Sequence, residues 1–196
     1  MGEPMARQYE FKPDRPHSGF WDKLYITPQQ RKILLKWGLY TVLLIVLSVL
    51  QDVIFSRVSI LGATTDLVPC CIFLICILEG VDTGSIFCLV ASVLYFFSGT
   101  PAGPYCIPFI VLLGVILTVF RQSYLQKGFG AAMLCMTMAM LVYELLTFAT
   151  GLFLGVTYAD RFVAFLLTSA FSLLSVPALY LLCKLIGKIG GEIWKE

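Results

Sequence analysis

Residues 62–104 read GATTDLVPCCIFLICILEGVDTGSIFCLVASVLYFFSGTPAGP, and the folding-back of this stretch decides how the rest of the chain is arranged. Two apolar runs flank the tight turn Glu79-Gly80-Val81-Asp82. The first, residues 67–78, falls short of the roughly 20 residues that cross a hydrocarbon core roughly 30 Å thick. Read as a full span, it begins near Val58 and carries Asp66 into the membrane. The second run sets small residues four apart, Gly80, Gly84, Cys88 and Ser92. In lipid, burying apolar surface does not drive helices together, and small residues at this spacing let two backbones approach closely instead. Such a stripe packs either the chain's own helices or a helix of a partner.

Working outward, 59% of the 196 residues are hydrophobic and 13% are charged, about half the charge of an average soluble domain. Several apolar stretches reach spanning length, which predicts one integral membrane domain and no separate soluble one. The net charge of +2 gives no reason to expect a nucleic-acid partner. All seven cysteines, Cys70, Cys71, Cys76, Cys88, Cys106, Cys135 and Cys183, lie in apolar runs and lack zinc or haem spacing. They read as small hydrophobes.

Taken in order, residues 1–32 form a polar tail with Pro4, Pro13, Pro16 and Pro28 and the aromatics Tyr9, Phe11, Phe20, Trp21 and Tyr25. Its polar lead is too long for a signal peptide. It reads as a cytoplasmic segment resting its aromatics on the headgroups, or as a docking segment for a cytoplasmic partner. A transmembrane domain of six helices follows over residues 33–187, predicted at about 33–51, 58–78, 83–98, 105–120, 129–154 and 162–186. Lys36 and Trp37 suit the interface, where a lysine snorkels and an indole anchors. Residues 52–59 and 121–128 read as polar connections, and Gly99-Thr100-Pro101-Ala102-Gly103-Pro104 as a turn-rich loop. Pro108, Gly114 and Pro177 are places for bends. Residues 188–196 form a second interfacial tail, anchored by Trp194.

Charge sets the orientation. With the N-terminus inside, the cytoplasmic segments hold twelve of the 14 basic residues, and the outer segments hold only Arg57 and Arg161. Both termini of this multi-pass membrane protein are therefore expected in the cytoplasm. The acidic turn of Glu79 and Asp82 then stands out among basic inner loops.

Two carboxylates fall inside the predicted membrane layer. Glu144 lies roughly 20 Å from the inner end of its helix, and Asp66 about 12 Å below the outer end of its own, at 1.5 Å per residue. Similar depth points to a shared polar cavity, to pairing with Arg57 or Arg161, or to a structural hydrogen bond. His17 is the lone histidine, so no Ser-His-Asp or Cys-His set exists, and there is no Walker loop, paired metal ligand or nucleotide turn. The chain is not expected to be an enzyme, and no cofactor or metal is expected.

The order Leu50-Gln51, Ile60-Leu61-Gly62, Thr65-Asp66-Leu67, Glu79-Gly80, Gly84 and Ser98-Gly99-Thr100-Pro101-Ala102-Gly103 resembles the MreD family of rod-shape-determining membrane proteins. The likeness covers about residues 50–114. The chain departs from the family pattern at Thr65, where proline is usual, at Cys88 and Ser92, where glycines are common, and at Phe96, where an aspartate often stands. The resemblance implies an all-α polytopic fold similar to that of energy-coupling-factor S components. It also implies a non-enzymatic adaptor of the cell-elongation, peptidoglycan-synthesising machinery. Its implied partners are MreC and, through it, MreB filaments and the RodA synthase with its transpeptidase. The alternative is a vitamin-binding S component. Helix 1 lacks the alanines four apart that dock the coupling subunit, whereas Asp66 and Glu144 would serve as ligand groups. A carrier of lipid-linked precursors is a third reading, supported by the outer acids alone.

Overall fold

The computed structural model describes residues 28–55, 57, 62–99, 101, 103–124 and 128–189. The tails 1–27 and 190–196, and the motif residues Ile60, Leu61, Thr100 and Ala102, lie outside the described residues. The described chain is all-helical: α1 (Pro28–Leu50), α2 (Leu67–Glu79), α3 (Val81–Phe97), α4 (Cys106–Tyr124), α5 (Phe129–Phe153) and α6 (Phe162–Ile189). A π-helical turn, Gln51–Phe55, prolongs α1, and a 3-10 turn, Ala159–Arg161, leads into α6.

The bundle is built around α2. No polar side chain interrupts LVPCCIFLICIL, and a helix apolar on every face belongs in an interior. All twelve residues from Leu67 through Leu78 are buried, and α2 packs against each of the other five helices. Around it, α1, α4, α5 and α6 belong to four helices long and apolar enough to cross a membrane. Their outward faces stay apolar, as Val42, Ile45, Leu112, Leu134, Leu174 and Leu181 illustrate.

The sequence predicts a second span starting near Val58, but α2 starts at Leu67 and has 13 residues, about 20 Å of rise. That is short of the bilayer core, and α3 with 17 residues is also below spanning length by the same rise. A short helix is tolerable at membrane depth when other helices screen its ends from lipid. The connection expected over residues 52–59 is helical through Phe55, and α4 runs on to Tyr124 where a loop from Arg121 is expected.

Gly80 alone joins α2 to α3. Its φ of +92° lies in the region L side chains avoid, which is why the reversal falls on a glycine. Past the turn, α3 runs back along α2, with Gly84 against Cys76 near the turn. A Cβ on Gly84 would stand 3.1 Å from the Cys76 carbonyl oxygen and 3.2 Å from its Cα. Cys88 donates its thiol to the Ile110 carbonyl at 3.4 Å, and its Sγ fills the space that a Cβ on Gly114 would occupy. The stripe of Gly84, Cys88 and Ser92 is therefore buried within this chain, against α2 and α4.

Candidate functional site

Polar side chains gather at both ends of α2. At its C-terminal end Glu79 receives a hydrogen-bonded ion pair from Lys36 Nζ at 2.6 Å and the hydroxyl of Tyr40 at 2.8 Å. The two charged side chains are 10% and 4% exposed, so Lys36 does not snorkel to the interface as its sequence position suggests. Lys36 and Tyr40 are one helical turn apart and share a face of α1, so both reach the same carboxylate. The Tyr40 hydroxyl also lies 3.2 Å from the Cys183 carbonyl of α6. Arg121 of α4 donates to the Ile77 carbonyl, one of the orphan acceptors that end α2. The start of α1, the end of α2 and the end of α6 thus meet at one end of the bundle. Of the expected acidic turn, Glu79 is drawn inside, while Asp82 stays exposed in the first turn of α3, where a negative charge suits the helix dipole.

At the opposite end, α2 opens beside a cavity of about 230 Å³. Asp66, the residue just before α2, lines it together with Glu144 of α5, and Arg161 stands at its exposed rim. Both carboxyl groups therefore face one shared space. The sequence placed both at similar depth and left their sharing of a cavity open; the fold brings them together. Arg161 joins them on the lining, whereas Arg57 does not. Glu144 is 4% exposed, and its Oε1 is buried without a hydrogen-bond partner.

Ser172 and Tyr95, unremarked in the sequence, and Gln51, noted there only as part of the Leu50-Gln51 motif, surround Asp66. The backbone N–H of Asp66 donates to Ser172 Oγ at 2.8 Å. Gln51 Nε2 donates toward Asp66 Oδ1 at 3.3 Å and lies 3.5 Å from the Tyr95 hydroxyl, while its Oε1 accepts the Val68 N–H at 3.0 Å. Gln51 therefore acts as a cap for α2 supplied by another helix, satisfying one of the free N–H groups of the first turn. A lone glutamine ending a long apolar run is the signal that could have found it. Gln51→Leu keeps the volume but leaves the Val68 N–H unsatisfied and buried. The expected cost is about 1–3 kcal/mol, read by thermal unfolding in detergent.

All seven cysteines are buried. Among the described residues no group of three or more His, Cys, Asp or Glu is placed to hold a metal ion. No family model, no curated protein and no solved structure matches this chain.

Proposed function

We propose that this chain is a non-enzymatic membrane adaptor of the bacterial cell-elongation machinery, of the MreD kind. In this reading it binds MreC and, through it, couples MreB filaments to the RodA synthase and its transpeptidase. One observation carries the reading: the residues of the MreD-like order that are described occupy the joints of the bundle. Gln51 caps α2, Asp66 opens it, and Glu79 closes it on Lys36. Gly80 makes the reversal, Gly84 admits the α2 backbone, and Gly99, with φ +79°, follows the end of α3. An ordered set of short motifs is a stronger signal when each member has a distinct mechanical task.

The basic residues Lys36, Arg121, Lys184 and Lys188 lie in the parts of α1, α4 and α6 nearest the Glu79 end, which by the positive-inside rule faces the cytoplasm. The cavity then opens outward. Because the small-residue stripe is used inside the chain, the partner surface has to be an outward face. On α3 this face carries Ile86, Leu89, Val90 and Leu94, all about half exposed or more. A partner helix is expected to cover such a face. Co-expression with tagged MreC should retain the full chain through detergent extraction, and replacing Ile86 and Val90 together by Trp should reduce recovery severalfold. Wild-type protein that folds but never co-purifies with MreC removes the adaptor reading.

The S-component reading draws support from a different observation, the outward-opening cavity with its paired carboxyl groups. Co-purification with an energy-coupling ATPase module, in place of MreC, would favour it.

A further inference from the structure

We infer that the cavity beside the start of α2, lined chiefly from α5 and α6, binds a small zwitterion through a primary ammonium at its floor and an acidic group at its rim. The inference concerns the cavity alone and stands whichever protein partner the chain has.

The argument starts from the unsatisfied atom. A buried polar oxygen without a partner costs about 1–3 kcal/mol, and Glu144, whose Oε1 is in that state, is one of the residues lining the cavity. The group that satisfies it must donate hydrogen bonds, since two carboxyl groups, Asp66 and Glu144, together present more acceptor sites than they can give each other. An ammonium brings three N–H donors and a positive charge to that pair. The rings of Tyr95, Tyr143 and Phe165 line the same space, and aromatic faces attract cations. A metal ion fits less well, as among the described residues two carboxyl groups are the only acidic ligands there.

Arg161 determines the other half of the ligand. Among the described residues it is the one basic residue on the lining; it is exposed, and it sits in the 3-10 turn that leads into α6. A guanidinium favours a carboxylate or phosphate, which it can grip through two N–H groups. Depth separates the charges: Glu144 buried and Asp66 half-buried below, the guanidinium at the surface. A molecule with an ammonium at one end and an acid a few bonds away matches that order. At about 230 Å³ the space lies below the range typical of drug-sized ligands and suits a headgroup or an amino-acid-sized molecule. The shared chemistry belongs both to a free phosphoethanolamine or amino-acid zwitterion and to the headgroup of an ethanolamine phospholipid.

The test uses the full chain. Soluble O-phosphoethanolamine is titrated into delipidated protein in detergent, followed by calorimetry, with phosphocholine as the comparison, because its quaternary nitrogen has no N–H. In parallel, protein in nanodiscs of mixed phosphatidylethanolamine and phosphatidylglycerol is released and its retained lipid identified by native mass spectrometry. Saturable binding of phosphoethanolamine, about tenfold weaker in Glu144→Gln and in Arg161→Ala, supports a soluble ligand. Selective retention of phosphatidylethanolamine that both variants lose supports the lipid source. Arg161 is exposed, so Arg161→Ala tests the site even if Glu144→Gln fails to fold. Neither binding nor selective retention, or equal binding of phosphocholine, overturns the inference.

Discussion

Gly84→Leu is expected to unfold the protein at markedly lower temperature than wild type, by the equivalent of about 3 kcal/mol or more. The reason is the absence of any space. The hypothetical Cβ already lies 3.1 Å from the carbonyl oxygen and 3.2 Å from the Cα of Cys76. Those are backbone atoms of the most enclosed helix in the bundle, packed on its other sides by α4, α5 and α6, so they cannot yield as a flexible side chain would. A leucine adds three more carbons beyond that point. Gly84→Ala separates the two opposing effects. Alanine gains roughly 0.5–1 kcal/mol of helix propensity over glycine, and the close contact takes back a similar amount, so its net change should be small. The buried thiols offer the readout: all seven cysteines are inaccessible in the fold and react with a thiol-selective fluorophore as it opens. A Gly84→Leu protein that melts with wild type would mean that α2 and α3 do not touch here. Loss of MreC recovery in this variant, by contrast, says nothing about a partner surface, because the residue faces inward.

The second large effect is expected at the closed end. Glu79→Ala leaves the Lys36 ammonium buried without its counter-charge, and breaking a buried pair by removing one member costs about 3–5 kcal/mol. The lower half of that range applies, because Lys36 is near the start of α1 and its long stem can carry the charge toward the headgroups. Replacing both partners, Lys36→Met with Glu79→Gln, removes the stranded charge and keeps an acceptor for Tyr40. This double variant should recover most of the lost stability, since an apolar pair of similar volume is often as stable as the buried ions it replaces. Measured by the same thiol-based unfolding, a strongly positive coupling between the two sites is the expected result. Additive losses would show that Lys36 and Glu79 act independently, and the ion pair would then have no part in fastening α1 to α2. The Tyr40 hydroxyl, bonded to Glu79 and close to Cys183, ties α6 into the same joint, so Glu79→Ala should also loosen the end of α6.

Much of the fold was legible because hydropathy is a local property. The unbroken apolar runs that become α1, α4, α5 and α6 announce themselves residue by residue, and Gly80 marks the reversal because few other residues tolerate its φ. The acids Asp66 and Glu144 were conspicuous for the same reason, as isolated charges in apolar surroundings. What the sequence could not convey is which neighbours these groups meet. Lys36 looked like an interfacial lysine because its partner is 43 positions away, and Gln51 looked like a helix end because the N–H it caps lies 17 positions later.

By itself, then, the sequence determined that this is a helical membrane-type chain, where most of its helices run, and which side chains are anomalous. The tertiary structure alone decided that α2 is an enclosed axis 13 residues long, that the small-residue stripe is spent inside the molecule, and that Asp66, Glu144 and Arg161 surround one cavity. The physical reason is that hydrophobicity and backbone preference act over one or two helical turns. Burial, ion pairing and close backbone contact depend on segments far apart in the chain, and exist only once those segments have packed.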